Sequence, residues 1–179
     1  MRKFELTIIA SGLDPEADDF EDRLYEAGCD DATVSVQKGL IILEFTRDER
    51  NFVHALVSAI ENVRAAGAAV ERIEPDHLVS LSDIARRAGL SRAAVSLYVK
   101  GERASDFPAP VARVTTDSPL WDWVDVSRWM YRHEKLDLEA VLTAKTVREA
   151  NMVVLNRNVE PAHFAKHLED RAAELEAAL

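Results

Sequence analysis

Polar and apolar residues alternate with a period of two from Lys3 to Ala10, where Phe4, Leu6 and Ile8 interleave with Glu5 and Thr7, and this predicts a strand. Beyond Ser11-Gly12 the period lengthens. Ala17, Phe20, Leu24 and Ala27 fall three and four apart, which predicts a helix capped by Asp14, opened by Pro15 and stopped at Gly28. Ala32, Val34 and Val36 alternate with Thr33, Ser35 and Gln37, Lys38-Gly39 turns the chain, and Leu40 to Phe45 returns as the second arm of a hairpin. A second helix is expected from about Asp48, with Phe52, Val53, Leu56, Ile60 and Val63 on one face and its end at Gly67. Ala69 to Glu74 is a last strand, closed by Pro75.

Residues 1–75 therefore read strand, helix, strand, strand, helix, strand. Two right-handed split units of this kind form a four-stranded antiparallel sheet with both helices on one face, the ferredoxin-like arrangement. That arrangement hosts sensing, dimerising and binding domains alike, so it leaves function open.

The grammar changes at His77. Ser82 is expected to cap a short helix with Ile84 and Ala85 inward and its end at Gly89, and Ser91 to cap a second with Val95 and Val99 inward. Two short helices joined through Gly89-Leu90-Ser91 are the helix-turn-helix signal. The segment from Leu81 to about Met130 resembles the winged helix-turn-helix of MerR-like and excisionase-like DNA-binding proteins. The likeness is carried by Ile84-Ala85, Gly89-Leu90-Ser91, Gly101-Glu102-Arg103, Phe107-Pro108 with Pro110-Val111, and Trp123-Val124-Asp125-Val126-Ser127-Arg128-Trp129. The resemblance implies that the second helix enters the major groove beside a short hairpin wing. It also implies that Leu120-Trp121 lies in the second wing strand, with a helix starting at Asp125.

On that reading Arg92, Ala93 and Ser96 face outward, with Leu97 at the margin. Arg92 suits a bidentate pair with guanine and Ala93 a thymine methyl. Ser91 and Lys100 suit phosphates. Arg103 and Arg113, at the two ends of the wing approach, would clamp the DNA backbone, and Thr115 to Ser118 would form the wing tip, where Asp117 is unfavourable near phosphate. Arg86 and Arg87, as exposed helix arginines, are more often solubilising than contacting. Tyr98, Trp121, Trp123 and Trp129 are expected in the core, since so small a module has few other large apolar side chains to bury.

Charge changes the picture only once it is divided. The 179 residues carry 22 basic and 32 acidic side chains, a net −10, which argues against a dedicated nucleic-acid binder or a polybasic membrane clamp. Residues 1–75 hold 8 basic and 16 acidic groups, however, residues 76–133 hold 8 and 7, and residues 134–179 hold 6 and 9. From 80 to 105, Arg86, Arg87, Arg92, Lys100 and Arg103 oppose only Asp83 and Glu102. The acidity belongs to the first domain and the second helix pair is basic.

Other chemistry finds little footing. No apolar run approaches the roughly 18 to 20 residues needed to cross a bilayer, and Glu5 stands where a secretory peptide would be apolar, so a cytoplasmic protein away from membranes is expected. Cys29, the single cysteine, excludes an internal disulfide and a cysteine-based zinc site, and its acidic neighbours disfavour a thiolate. Six acidic residues between Asp14 and Asp22 read as a solvated face, and His163 and His167, four apart, lack a third ligand. No phosphate loop, dinucleotide fingerprint or nucleophile elbow is present, so no enzyme, metal or cofactor is expected.

The last third, 134–179, reads as helices. Asp137 caps a long one with Leu138, Val141, Leu142, Ala150, Val153, Val154 and Leu155 at helical spacing, interrupted by Lys145 and Asn151. A second runs from Ala162 to Leu179 with Phe164, Leu168, Ala172, Leu175 and Leu179 on one stripe. The sequence thus points to an α+β chain of three parts: a ferredoxin-like domain at 1–75 that senses a small ligand, dimerises or binds a protein, a winged helix-turn-helix at 76–133, and C-terminal helices at 134–179 that pack on the chain or help assemble the dimer. The function expected is a bacterial, homodimeric, sequence-specific transcriptional regulator whose partner is double-stranded DNA. The alternatives are an excisionase-type architectural protein, an antitoxin-like regulator with a protein partner, and an interaction adaptor that no longer binds DNA.

Overall fold

The structure, a computed structural model, describes residues 1–155 together with Lys166 and Asp170. It is an α+β chain that, among the described residues, has six helices, a four-stranded antiparallel sheet and a short two-stranded one. It divides into two units. Met1–Pro75 and the residues from Glu149 form the first, and Asp76–Arg148 the second, so the segment read as 134–179 is shared between them.

The first unit holds β1 (Arg2–Ser11), α1 (Phe20–Glu26), β2 (Ala32–Gln37), β3 (Leu40–Glu49), α2 (Phe52–Ala65) and β4 (Ala69–Glu74), with the sheet ordered β2-β3-β1-β4. The period of two sends Phe4, Leu6, Ile8 and Ala10 of β1 to the buried side, opposite Arg47, Phe45, Leu43 and Ile41 of β3. Seven residues of α2, from Phe52 to Val63, and Phe20 and Leu24 of α1 complete the core.

Two expected helix starts shift. Asp14 does not cap α1: its carboxylate accepts the Glu16 N–H at 3.0 Å and its carbonyl the Ala17 N–H at 3.2 Å, closing an isolated turn, and the helix begins only at Phe20. Side-chain-closed turns of this kind compete with helix formation. Nor does α2 start near Asp48, because β1 is long enough to keep β3 paired as far as Arg2 against Glu49. Asn51 is the cap, accepting the His54 N–H at 3.0 Å.

Arg47 is the charged side chain on the buried face of β3, only 8% exposed. Nε and Nη2 donate to the two oxygens of Asp31 at 2.9 and 2.7 Å. Nη2 also donates to the Gly28 carbonyl at 2.9 Å, and Nη1 donates to Ser58 Oγ at 3.0 Å and Asn62 Oδ1 at 2.7 Å. The guanidinium also lies 4.8 Å from the Phe45 ring centre. Asn62 Nδ2 donates to the Ala27 carbonyl at 2.6 Å, so the end of α1 is tied to both β3 and α2.

The second unit holds β5 (Leu78–Val79), α3 (Leu81–Arg87), α4 (Arg92–Val99), β6 (Trp121–Asp122), α5 (Trp123–Arg132) and α6 (Leu138–Leu155) as far as Arg148. Its core gathers Val79, Ile84, Val95, Tyr98, Trp121, Val124, Trp129 and Met130. Ser80, not Ser82, caps α3. Its oxygen accepts the Asp83 N–H at 3.2 Å while Asp83 accepts the Ser80 N–H at 3.0 Å, a reciprocal box open only to a residue three before an acid. Asp122, not Asp125, caps α5 by accepting the Val124 N–H at 2.7 Å. The inward residues of α4 are Val95 and Tyr98, whereas Val99 is 37% exposed. Both lie within one turn of Val95, and the larger aromatic takes the buried position.

Asp137 caps α6 through the Ala140 N–H at 2.9 Å. Lys145 and Asn151 do not interrupt its buried stripe but belong to it, at 5% and 4% exposure. The expected helix from 162 to 179, its apolar stripe and the His163/His167 pair lie outside the described residues, save Lys166 and Asp170, which are helical.

Candidate nucleic-acid interface

The reciprocal Ser80/Asp83 box sets the start of α3, and the Ser80 hydroxyl, foremost, holds the Asp83 carboxyl below its ordinary value, with Arg86 and Arg87 adding to the effect. Asp83 remains ionised and binds Arg86 Nη2 at 2.8 Å. Arg87 lies with its guanidinium 5.2 Å from the Trp123 ring centre. The two arginines of α3 are thus engaged within the unit.

At α4 the arrangement differs. Gly89 has φ 64°, a left-handed conformation that ends α3 and lets the chain reverse through Leu90 into Ser91. Ser91 Oγ accepts the Ala94 N–H at 3.1 Å, and its own O–H stays available as a donor. Arg92 and Ala93 are exposed on the first turn, Ser96 and Leu97 are half-buried, and Val99 and Lys100 are exposed at the far end. No carboxylate among the described residues pairs with Arg92, Lys100, Arg103 or Arg113. Ser91, Arg92, Ala93, Lys100 and Arg103 lie on α4 or directly beside its ends, and Ser96 is set back into its flank.

Arg103 lies with its guanidinium 5.9 Å from the Tyr98 ring centre. The stretch after it is pinned by aromatic contacts: Trp129 has Tyr98 at 5.1 Å, Phe107 at 4.9 Å and His133 at 3.8 Å, centre to centre. Trp121 Nε1 donates to the Pro108 carbonyl at 3.0 Å. The expected wing is much reduced. Ala112 and Leu120 form a single antiparallel bridge around a seven-residue loop, while Trp121–Asp122 pairs with Leu78–Val79 instead. Arg113 sits at the loop's base, exposed and with φ 50°, its carbonyl accepting the Thr116 N–H at 3.0 Å. Asp117 is exposed in the same loop. Sequence reasoning missed the exposure of Val99 and the aromatic support beneath Arg103, for which the adjacent Tyr98 is the visible signal.

In residues 1–75 of the first unit, acidic side chains outnumber basic ones by 16 to 8. An open cleft of about 470 Å³ is lined by Asp30, Asp31, Asp48, Glu49 and the Arg47 network, whose guanidinium already serves its own chain. Cys29 is buried, and burial pushes its thiol up to about 11, with Arg47 opposing and Asp31 and Asp30 adding to the rise. Asp14, Glu16, Asp18, Asp19, Glu21 and Asp22 are all exposed. Among the described residues no group of three His, Cys, Asp or Glu side chains gathers as a metal site, and no helix is long and apolar enough to cross a membrane. Comparison with protein-family models, curated proteins and solved structures finds no match to this chain.

Proposed function

We propose that this protein is a sequence-specific DNA-binding transcriptional regulator that acts as a homodimer in the cytoplasm. On this reading α3 and α4 form a winged helix-turn-helix with α4 as the recognition helix, and Met1–Pro75 is a ferredoxin-like partner or sensor domain. The activity is binding, without catalysis or a cofactor. The order β2-β3-β1-β4 in a strand-helix-strand-strand-helix-strand chain supports the ferredoxin-like part. The observation that carries the DNA reading is the division of the basic residues between 80 and 105. Arg86 and Arg87 are engaged within their unit, while Arg92, Lys100 and Arg103 stand exposed at α4 without a carboxylate partner among the described residues.

Arg92 and Ala93 occupy the helix turn that meets base edges, and Lys100, Arg103 and Arg113 supply charge for phosphates. Selection of bound fragments from the host genome, followed by anisotropy titration on the selected duplex, tests this. Affinity is expected to fall steeply as salt rises from 50 to 200 mM, as displaced counterions require. Arg92→Ala with Lys100→Ala is expected to weaken binding by about 100-fold. Retention of affinity in that double variant would overturn the assignment.

A further inference from the structure

The sheet of the first unit has two edges, finished in different ways. On β4, Asn151 acts as a substitute strand: its Oδ1 accepts the Ile73 N–H and its Nδ2 donates to the Ile73 carbonyl, both at 2.8 Å. The β1 to β4 ladder shifts register between Ile9 and Ala10, and Glu71, Arg72 and Glu74 line the strand with charge. Bulges, charges and covering groups are the devices that keep an edge from pairing. β2 has none of them. Ala32-Thr33-Val34-Ser35-Val36-Gln37 contains no charge, proline or glycine, its register with β3 is unbroken, and among the described residues only the Cys29 carbonyl, at the Ala32 end, bonds to its outer edge.

The groups on that edge follow from the hairpin. Gln37 and Leu40 flank the two-residue turn Lys38-Gly39, where both residues have positive φ, 53° and 79°, and the pair flanking such a turn is hydrogen-bonded. The Asp31 carbonyl likewise accepts the Thr46 N–H of β3. Odd-numbered residues therefore turn their backbone groups inward, and Ala32, Val34 and Val36 turn theirs outward. The Ala32 N–H is already used on the Cys29 carbonyl at 3.1 Å.

We propose that β2 pairs antiparallel with β2 of a second copy of this chain, about a twofold axis at Val34, joining two four-stranded sheets into one of eight. The register is set by charge. With the axis at Val34, Asp30 of each chain stands opposite Lys38 of the other, so two opposite-charge pairs close the two ends of the ladder. Val34 exchanges both its backbone bonds with its own counterpart, and the Val36 N–H meets the Ala32 carbonyl of the copy, which occupies each outward group still available at Val34 and Ala32. Val36, 44% exposed, comes to lie against Ala32 of the copy. A shift by one residue would set each outward-facing residue opposite an inward-facing one, leaving its backbone groups without partners, and would separate Asp30 from Lys38. The pairing deepens the dimeric part of the function proposed above and rests on that part alone.

Sedimentation equilibrium of the full chain is expected to show a concentration-dependent dimer. Val34→Pro removes an outward N–H without touching the ladder to β3, and should leave a monomer. Asp30→Lys alone and Lys38→Asp alone should each weaken the dimer by about tenfold at low salt, and the combined swap should restore it. Both positions are exposed, and Asp tolerates the positive φ at 38, so the swap decides the matter even if the proline variant fails to fold. By hydrogen exchange, the Val34 and Val36 amides should be protected in the dimer and exposed on dilution. A wild-type chain that stays monomeric, protection of those amides in the monomer, a dimer indifferent to Val34→Pro, or a charge swap without rescue would each overturn the pairing. The readouts separate the two proposals. A dimer broken by Val34→Pro supports the pairing even if no duplex binds, whereas a monomer that binds duplex through Arg92 overturns it and leaves the DNA reading intact.

Discussion

In the sheet unit, Arg47 is buried and distributes its donors among Asp31, Gly28, Ser58 and Asn62, while in the helical unit Arg92 lies exposed at the start of α4 with no carboxylate among the described residues to meet it. In the sequence the two look alike, each an arginine beside small or polar neighbours. What separates them is that Arg47 shares the buried face of β3 with Phe45, whereas Arg92 follows a capping serine on the open side of a short helix. A guanidinium saturated within its own chain is architecture. One left exposed with its donors unmatched is available to a planar anionic or base-edge acceptor. The same contrast divides the chain's charge, since the unit that ties its arginine down is also the acidic one.

Arg47 is where a substitution should cost the fold most. Replacing it with Met leaves Asp31, Asn62 and the Gly28 carbonyl without their common donor, and unfolding stability is expected to fall by about 3 kcal/mol. Chemical denaturation followed by circular dichroism measures this. A loss below about 1 kcal/mol would mean that water replaces the guanidinium and that the network is not what joins α1 to the sheet. Asn151→Leu comes next. It strips both partners from the fully buried Ile73 and is expected to lower stability by about 2 kcal/mol, with faster exchange of the Ile73 amide as the local signature.

These two residues also mark where sequence reading stops. Element types in the first 75 residues are legible because periods of two and of three-to-four are local, and Gly28, Gly67 and Gly89 punctuate them. Caps are less so: Asn51, Ser80 and Asp122 each act a few residues from the residue expected, because a cap depends on where the preceding strand or turn releases the chain. The Asn151 clamp joins positions 78 residues apart, and Arg47 meets Asn62 only through strand register and helix packing, so neither leaves a local signal. At the candidate interface the basic positions are legible from spacing. That Arg86 is held by Asp83, and that Tyr98 displaces Val99 from the core, requires three dimensions.

Lys145 is the opposite case, a buried lysine with no carboxylate partner among the described residues. Burial, foremost, and then Arg128 and Arg148 push its ammonium below its ordinary value. The folded state therefore binds this proton more weakly than the unfolded chain does, so the helical unit gains stability as pH rises through the lowered folded value toward 10.5. Lys145→Met removes the penalty and is expected to raise stability at pH 7 by about 1 kcal/mol and to abolish that alkaline gain. Thermal melts at intervals from pH 7 to 10.5 would show both, and a Met variant less stable than the parent would mean that the ammonium has partners it needs.

The smallest expected effect is the most discriminating. Arg92→Ala removes a side chain that makes no ion pair among the described residues, at a helix start whose cap belongs to Ser91, and alanine is at least as good a helix former. Folding stability should change by no more than about 0.5 kcal/mol. Duplex binding, measured on the same preparation, should fall by tenfold or more, the share of a single bidentate base contact. A large loss of stability would class Arg92 with Arg47, as a residue whose contacts lie within the fold, and would remove the reason for placing DNA at α4. Unchanged stability with unchanged binding would leave α4 an ordinary solvated helix, and the open guanidinium would then be explained by solubility alone.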